Sequence, residues 1–173
     1  PFFEYDPALQ FDYDLDAAKN QPYRGTVHIM QNYLKQYRLP FRGWNDPWLK
    51  IDSKPNRFPA IDMAKATLFF RSPRWRDRSR VDWPVVFKRI RGEKYFIGFK
   101  HDHEDFQREC GPVTYLHTPD VLDMARLIRD CKAVYTNQSI ALVLAQGLNK
   151  PYWLEQKPGK TNTLIYKPIE HIL

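Results

Sequence analysis

The sequence predicts an α/β domain: a mainly parallel sheet with helices on both of its faces. Three observations predict it. Strand-like and helix-like runs alternate from about position 65 to 155. The links between them are short, as in consecutive β-α units. Within that series, "VYTNQSIALVLAQGLNKPYWLE", from Val134, reads as a run of β-formers, a polar turn, an apolar helix and a second strand.

Each element has its own signal. In "TVHIMQNYLKQYRL" (26–39), Val27, Met30, Leu34 and Tyr37 recur near helical spacing and Pro40 ends the helix. Prolines then punctuate "PFRGWNDPW" and "DSKPNRFP", a connecting loop around a short "WLKI". "KATLFF" (65–70) is a strand, and "VDWPVVFKRIR" (81–91) a helix with Pro84 in its first turn. "KYFIGF" (94–99) is a strand, followed by a short acidic helix from about 103 to 109 and the strand "PVTYL" (112–116). "TPDVLDMARLIRDC" (118–131) opens on Thr118 as N-cap and Pro119 as first helical residue, with one broad apolar face. "KAVYT" (132–136), "SIALVLAQGL" (139–148) and "PYWLE" (151–155) complete the series. The expected division is a remnant of a preceding domain with a connector helix at 1–45, then a Rossmann-like domain at 46–173.

Composition bounds the function. With 173 residues, 43% hydrophobic and 15% aromatic, the chain can bury a core without disulfides or metals. No apolar run reaches the roughly 20 residues a bilayer span needs. The start, "PFFEYDPALQ", is not a signal peptide, and without an initiator Met a fragment or a processed product is expected. Cys110 and Cys131 show neither metal-ligand spacing nor a disulfide framework, which suits a reducing cytoplasm. The net charge of +7 favours anionic partners such as nucleotides, nucleic acids or phosphorylated sugars.

In an open parallel sheet, ligands bind beyond the carboxyl ends of the strands. The loops that matter are therefore 71–80, 100–104, 117–120, 137–139 and 156 onward. Asn137, Gln138 and Ser139 place main-chain N–H groups and a positive dipole end at a strand exit, a cradle for phosphate. A simple helix cap by Asn137 or Ser139 is the plainer reading. "RSPRWRDRSR" (71–80) carries five arginines with Asp77 as its only acid, suited to bidentate contacts with a diphosphate or to plain solvation. A nucleic-acid groove is weaker, because Trp75 alone interleaves the charges and no DNA- or RNA-binding motif is present. "HDHED" (101–105) lacks the further ligands a metal needs, so Glu104 is read as an acceptor for a sugar hydroxyl or as a solvated helix start. "YLHTPD" supplies either an edge for a base, with Tyr115 or His117 nearby, or only a helix cap. No G-x-G-x-x-G, P-loop, G-x-S-x-G or Cys/His dyad appears, against dehydrogenase, kinase and hydrolase readings.

Taken in order, residues 26–160 resemble the carboxy-terminal, nucleotide-sugar-binding half of a GT-B glycosyltransferase of the heptosyltransferase-like family. The resemblance rests on "TLFFRSPRWRDRSRVDWP", "FIGFKHDHEDF" and "VTYLHTPDVLDMARLIRDCKAVYTNQSIALVLAQGLNKP". It implies that Arg74, with Arg71, Ser72 or Arg76, neutralises a donor diphosphate. It implies that Glu104 holds the ribose, and that Gln138 and Ser139 with the helix amides take phosphate oxygens. His117, Thr118 and Asn137 complete the expected donor site. Such enzymes generally need no metal or other cofactor. The family's Asp-Thr-Gly stands here as Asn137-Gln138-Ser139, and Leu142 replaces the histidine that follows it. Those departures leave room for another donor, or for an interaction module whose site has eroded. The acceptor site and general base belong to the family's other domain, so a partner chain or missing domain is expected to supply them. Asp12, Asp14, Asp16 and His28 are substitutes that no spacing singles out.

Overall fold

A computed structural model of the chain describes residue 47, residues 49–76 and residues 81–156. The expected helix at 26–39, Asp12, Asp14, Asp16, His28 and Asp77 lie outside the described residues, as does the chain from 157 onward.

The described residues form one sheet of β1 (Thr67–Phe70), β2 (Lys94–Ile97), β3 (Thr114–Leu116), β4 (Ala133–Asn137) and β5 (Tyr152–Glu155). Every neighbouring pair is parallel, in the order β3-β2-β1-β4-β5. The connecting helices are α1 (Trp83–Arg89), α2 (Lys100–Cys110), α3 (Val121–Asp130) and α4 (Ile140–Gly147). This is the expected α/β, Rossmann-like arrangement. The chain builds outward from β1 to β3, then returns through α3 to place β4 on the other side of β1. The order therefore reverses between β1 and β4, where such sheets open a crevice.

Strand periodicity divides the core in two. Leu68, Phe70, Ile97, Leu116, Val134 and Leu154 pack with Ala125, Leu127 and Ile128 of α3 and Ala141, Leu142 and Leu144 of α4. On the opposite face, Phe69 and Phe96 pack with Trp83 and Phe87 of α1 and Phe106 of α2. That second core is aromatic, with the Phe69 ring 5.3 Å from both Phe87 and Phe106. On the same face Tyr135 and Trp153, paired in register, stack at 4.6 Å with an interplanar angle of 4°.

Several boundaries differ from the sequence expectation. Helix α1 starts at Trp83 rather than Val81, with Pro84 in its first turn as expected and the Asp82 side chain accepting from Val85 N. Helix α2 starts at Lys100 rather than near 103, so "HDHED" is helical and not a loop. Helix α3 is capped not by Thr118 but by Asp120, whose carboxylate accepts from Asp123 N at 2.8 Å. An ionised acceptor at that point satisfies the same orphan amides better than a hydroxyl two residues earlier. Strand β4 extends to Asn137, because Asn137 still pairs in register with Glu155.

The proline-rich segment ahead of the sheet is tied to α3 and α4. Leu49 N donates to the Gly147 carbonyl at 2.9 Å. Leu49, Ile51, Phe58 and Ile61 pack on the α3/α4 core. Arg126 grips the Asp52 carboxylate, while Arg129 donates to the carbonyls of Asp52 and Lys54. No helix among the described residues is long and apolar enough to cross a membrane.

Candidate functional site

The β1 exit begins with Arg71. Two residues after Phe69, it falls on the aromatic face of the sheet, which draws its guanidinium inward, and the residue is only 1% exposed. A buried guanidinium requires carboxylate partners. Arg71 donates from Nε and Nη2 to the two oxygens of Glu155, each at 2.7 Å, and from Nη1 to Glu109 at 2.5 Å. Its Cζ lies 5.1 Å from the centre of the Trp83 ring. Burial works against its charge, yet Glu155 and Glu109 prevail and raise its pKa.

Asn137 occupies the adjacent β4 exit and is fully buried. Its amide holds the main chain of the loop after β1: Oδ1 accepts from Ser72 N at 3.2 Å and Nδ2 donates to Ser72 O at 2.6 Å. This pair continues the β1–β4 ladder by one side-chain rung. Ser139 directs its hydroxyl to the Asn137 carbonyl at 3.2 Å and lies 3.0 Å from Thr136 Oγ1. It makes no side-chain cap on α4. Ser139 is the N-cap residue of α4, as the plainer reading allowed, with its carbonyl accepting from Leu142 N at 3.1 Å; its hydroxyl, like the Asn137 side chain, braces the turn instead of capping an amide. Gln138 is buried within it. Leu142, at the position of the family's histidine, is wholly inside the α3/α4 core.

Beyond Ser72, a single 3-10 turn, Pro73–Trp75, carries Arg74 at the surface. Arg76 follows and turns back toward α2. Its Nη1 donates to Asp105 at 3.0 Å, and its Nη2 lies 3.9 Å from Asp102. The Arg76 Nε and Nη2 groups are buried without hydrogen-bond acceptors, and Asp102 Oδ1 is buried without a hydrogen-bond donor. Arg76, Asp105, Arg108 and Glu109 line a cleft of about 390 Å³. Hydrogen bonding by Arg76 holds the Asp105 carboxyl below its ordinary range. Burial pushes Asp102 above that range, against the pull of His101 and Arg76.

The remaining expected residues sit at the exits of β2 and β3, on the other side of β1. Glu104 is exposed on α2, His117 is exposed after β3 and Thr118 is half-buried beside it. The histidines of "HDHED" part company. His103 is buried and donates from Nε2 to the Val113 carbonyl at 2.8 Å, whereas His101 stacks on the exposed Phe99. Tyr115 donates its hydroxyl to the Gly98 carbonyl at 2.7 Å, pinning the β2 exit. Among the described residues, no group of three or more His, Cys, Asp or Glu side chains could hold a metal ion.

The structure thus brings Arg71, Ser72, Asn137, Gln138 and Ser139 to one place, the β1/β4 switch point. It also surrounds two of the expected anion-binding arginines with acids that the sequence reading did not use: Asp105 and Glu109 from α2 and Glu155 from β5. A signal for them existed. Asp102, Asp105 and Glu109 recur at i, i+3 and i+7, one stripe of a helix. Glu155 ends a buried strand on the same face as Trp153, a position that demands a cationic partner.

Compared with protein-family models and with curated proteins, the sequence matches none.

Proposed function

We propose that the chain is the nucleotide-sugar-binding part of a glycosyltransferase, with a nucleoside diphosphate held in the crevice between the exits of β1 and β4. The observation that carries this reading is the Asn137–Ser72 clamp. It fastens the turn bearing Arg74 beside the amino end of α4, whose first amides receive no side-chain cap. Main-chain N–H groups and the helix dipole there favour a phosphate, and Arg74 adds a cation from the neighbouring turn. Arg71 and Arg76 serve as braces, since their charges are met by Glu155, Glu109 and Asp105. Under this reading Glu104, His117 and Thr118, at the exits of β2 and β3, would meet the nucleoside. An acceptor hydroxyl would attack the anomeric carbon as the diphosphate leaves, with a partner chain or another domain supplying the acceptor side. A reducing compartment such as the cytoplasm suits the two free cysteines.

Calorimetry with a panel of nucleoside diphosphates and their sugar conjugates tests the reading. Saturable binding is expected. Ile140→Pro removes one amide at the first helical position without breaking α4. Together with Arg74→Gln, it should weaken binding by roughly tenfold or more. No saturable binding at millimolar ligand, or binding indifferent to both changes, refutes it.

A second reading is favoured by the internal neutralisation of Arg71 and Arg76: an interaction module that kept the fold after its donor site eroded. Under it, nucleotides do not bind, and Arg74→Gln with Ile140→Pro leaves complex formation intact. A nucleic-acid role through the arginine loop is weaker still, because those two arginines already have acidic partners.

A further inference from the structure

Phe99 stands where two local rules disfavour it. It is the N-cap residue of α2, a position that favours Ser, Thr, Asp or Asn, whose side chains accept from the first helical amides. Phe99 makes no such cap, and it is 66% exposed, against 42% for Ile140, the next most exposed large hydrophobic residue described. The position thus forgoes a helix cap and leaves an aromatic ring in water. Local rules broken without a folding gain mark a functional site.

The backbone that carries the ring is held firmly. Gly98 precedes it with φ 118°, and a Cβ there would lie 2.7 Å from the Phe70 ring, so only a glycine permits this approach. Tyr115 donates its hydroxyl to the Gly98 carbonyl at 2.7 Å, and the Phe99 carbonyl accepts from His103 N at 3.1 Å. His101 lies against one face of the Phe99 ring, with centroids 5.5 Å apart and planes 11° apart. Among the described residues it is the only ring stacked there. With one face under His101, an exposure of 66% requires the other face to be open. The result is a flat apolar surface already fixed in position, so a ligand need not order it on binding.

This surface adjoins the β1/β4 crevice. Phe70, against which Gly98 packs, is the last residue of β1, and the turn bearing Arg74 follows it. Two strand spacings, about 10 Å, separate the exits of β2 and β4. A nucleoside diphosphate with its phosphates at the amino end of α4 reaches that far. Any aromatic base gains by stacking on an open ring, whatever hydrogen bonds its edge makes. Lys100 and Glu104, both exposed, lie within one helical turn of Phe99. The apolar surface is therefore one ring wide, which suits a single planar ring rather than a lipid or a protein face.

We infer that the open face of Phe99 is the platform on which the base of the bound nucleotide stacks, with His101 supporting the ring from behind. The inference rests on the nucleotide reading of the crevice and deepens it. It makes Phe99 the residue that selects a diphosphate carrying an aromatic base over one without.

The test is equilibrium binding to the full 173-residue chain, with ADP, UDP, adenosine and inorganic pyrophosphate as probes. Phe99→Leu should weaken ADP and UDP roughly tenfold, whereas Phe99→Tyr, which keeps an aromatic ring, should bind them like the parent. Pyrophosphate, which has no base, should bind all three chains equally. Circular dichroism confirms that each variant keeps its helices, as expected at an exposed position. Adenosine binding that Phe99→Leu abolishes, with no gain from the phosphates of ADP, would support the platform while refuting the phosphate crevice. ADP binding that responds to Arg74→Gln with Ile140→Pro but not to Phe99→Leu would overturn the platform and leave the crevice standing. The inference is also overturned if neither ADP nor adenosine binds, or if Phe99→Leu weakens pyrophosphate as much as ADP.

Discussion

Arg71 and Glu155 form a bidentate pair across the carboxyl end of the sheet, both N–H···O distances 2.7 Å, although 84 positions separate them in the chain. Both side chains are essentially sealed from solvent, at 1% and 0% exposure. The pair spans β4, since β1 and β5 are its two neighbours. It therefore locks three strands at the end where the crevice opens.

Removing one partner leaves the other buried and charged. Arg71→Met should destabilise the fold by about 3–5 kcal/mol, while replacing the pair together, as Arg71→Met with Glu155→Leu, should recover most of that loss. Urea denaturation of the singles and the double checks it. A single-variant loss below about 1 kcal/mol would show that the buried carboxylates find other compensation.

Asp102 carries the opposite sign in its pH dependence. Burial raises its folded pKa above the ordinary 3.8. The native chain therefore binds the extra proton between those values, and stability falls as pH rises through that interval. Asp102→Asn should stabilise the chain at pH 7 by about 1 kcal/mol, because it removes a charge that burial disfavours. The gain should shrink as pH falls toward 3.8. Asp105 is lowered by Arg76; at Asp130 burial opposes, but hydrogen bonds from Arg129 and Asn56 prevail. Their contribution is present above 3.8 and is lost as pH drops below it. Melting temperatures of parent and variant across pH 3–8 separate the two trends, and a destabilised variant at pH 7 would contradict the assignment to Asp102.

Both cysteines should be inert in the folded chain. They are free and buried, and burial pushes each thiol up to about 12. At pH 8 almost no thiolate forms. Labelling with a chromogenic disulfide reagent should proceed only as fast as the chain unfolds, and both thiols should react at once in denaturant. Rapid native labelling would mean that one is accessible.

Gly98 and Gly111 both have positive φ, 118° and 103°, but their surroundings differ. A Cβ at Gly98 would lie 2.7 Å from Cε2 of the buried Phe70 ring, whereas at Gly111 it would meet nothing within 4 Å. Gly111→Ala should cost about 1 kcal/mol, for the backbone alone. Gly98→Ala should cost about 3 kcal/mol, since the buried Phe70 ring would have to shift as well. Equal losses in chemical denaturation would show that the ring yields.

How far the sequence could be read depended on the range of the interactions. Alternating runs such as "KATLFF" and "SIALVLAQGL" were legible because strand and helix periods are local, and they gave the parallel sheet. Helix starts were less legible. Thr118 and Asp120 are both good caps, and only the packing of α3 selects Asp120.

The sequence by itself determined the α/β series, the two faces of each strand and the clustering of polar residues at the strand exits. The tertiary structure decided what those polar residues meet. "RSPRWR" reads as an anion cradle until β5 and α2 deliver Glu155, Glu109 and Asp105 to it. It also placed Lys132 beside Arg89 and Arg91, from segments some 40 positions apart. Charge pairing depends on which strands end side by side, and strand order is a long-range property that no local pattern encodes.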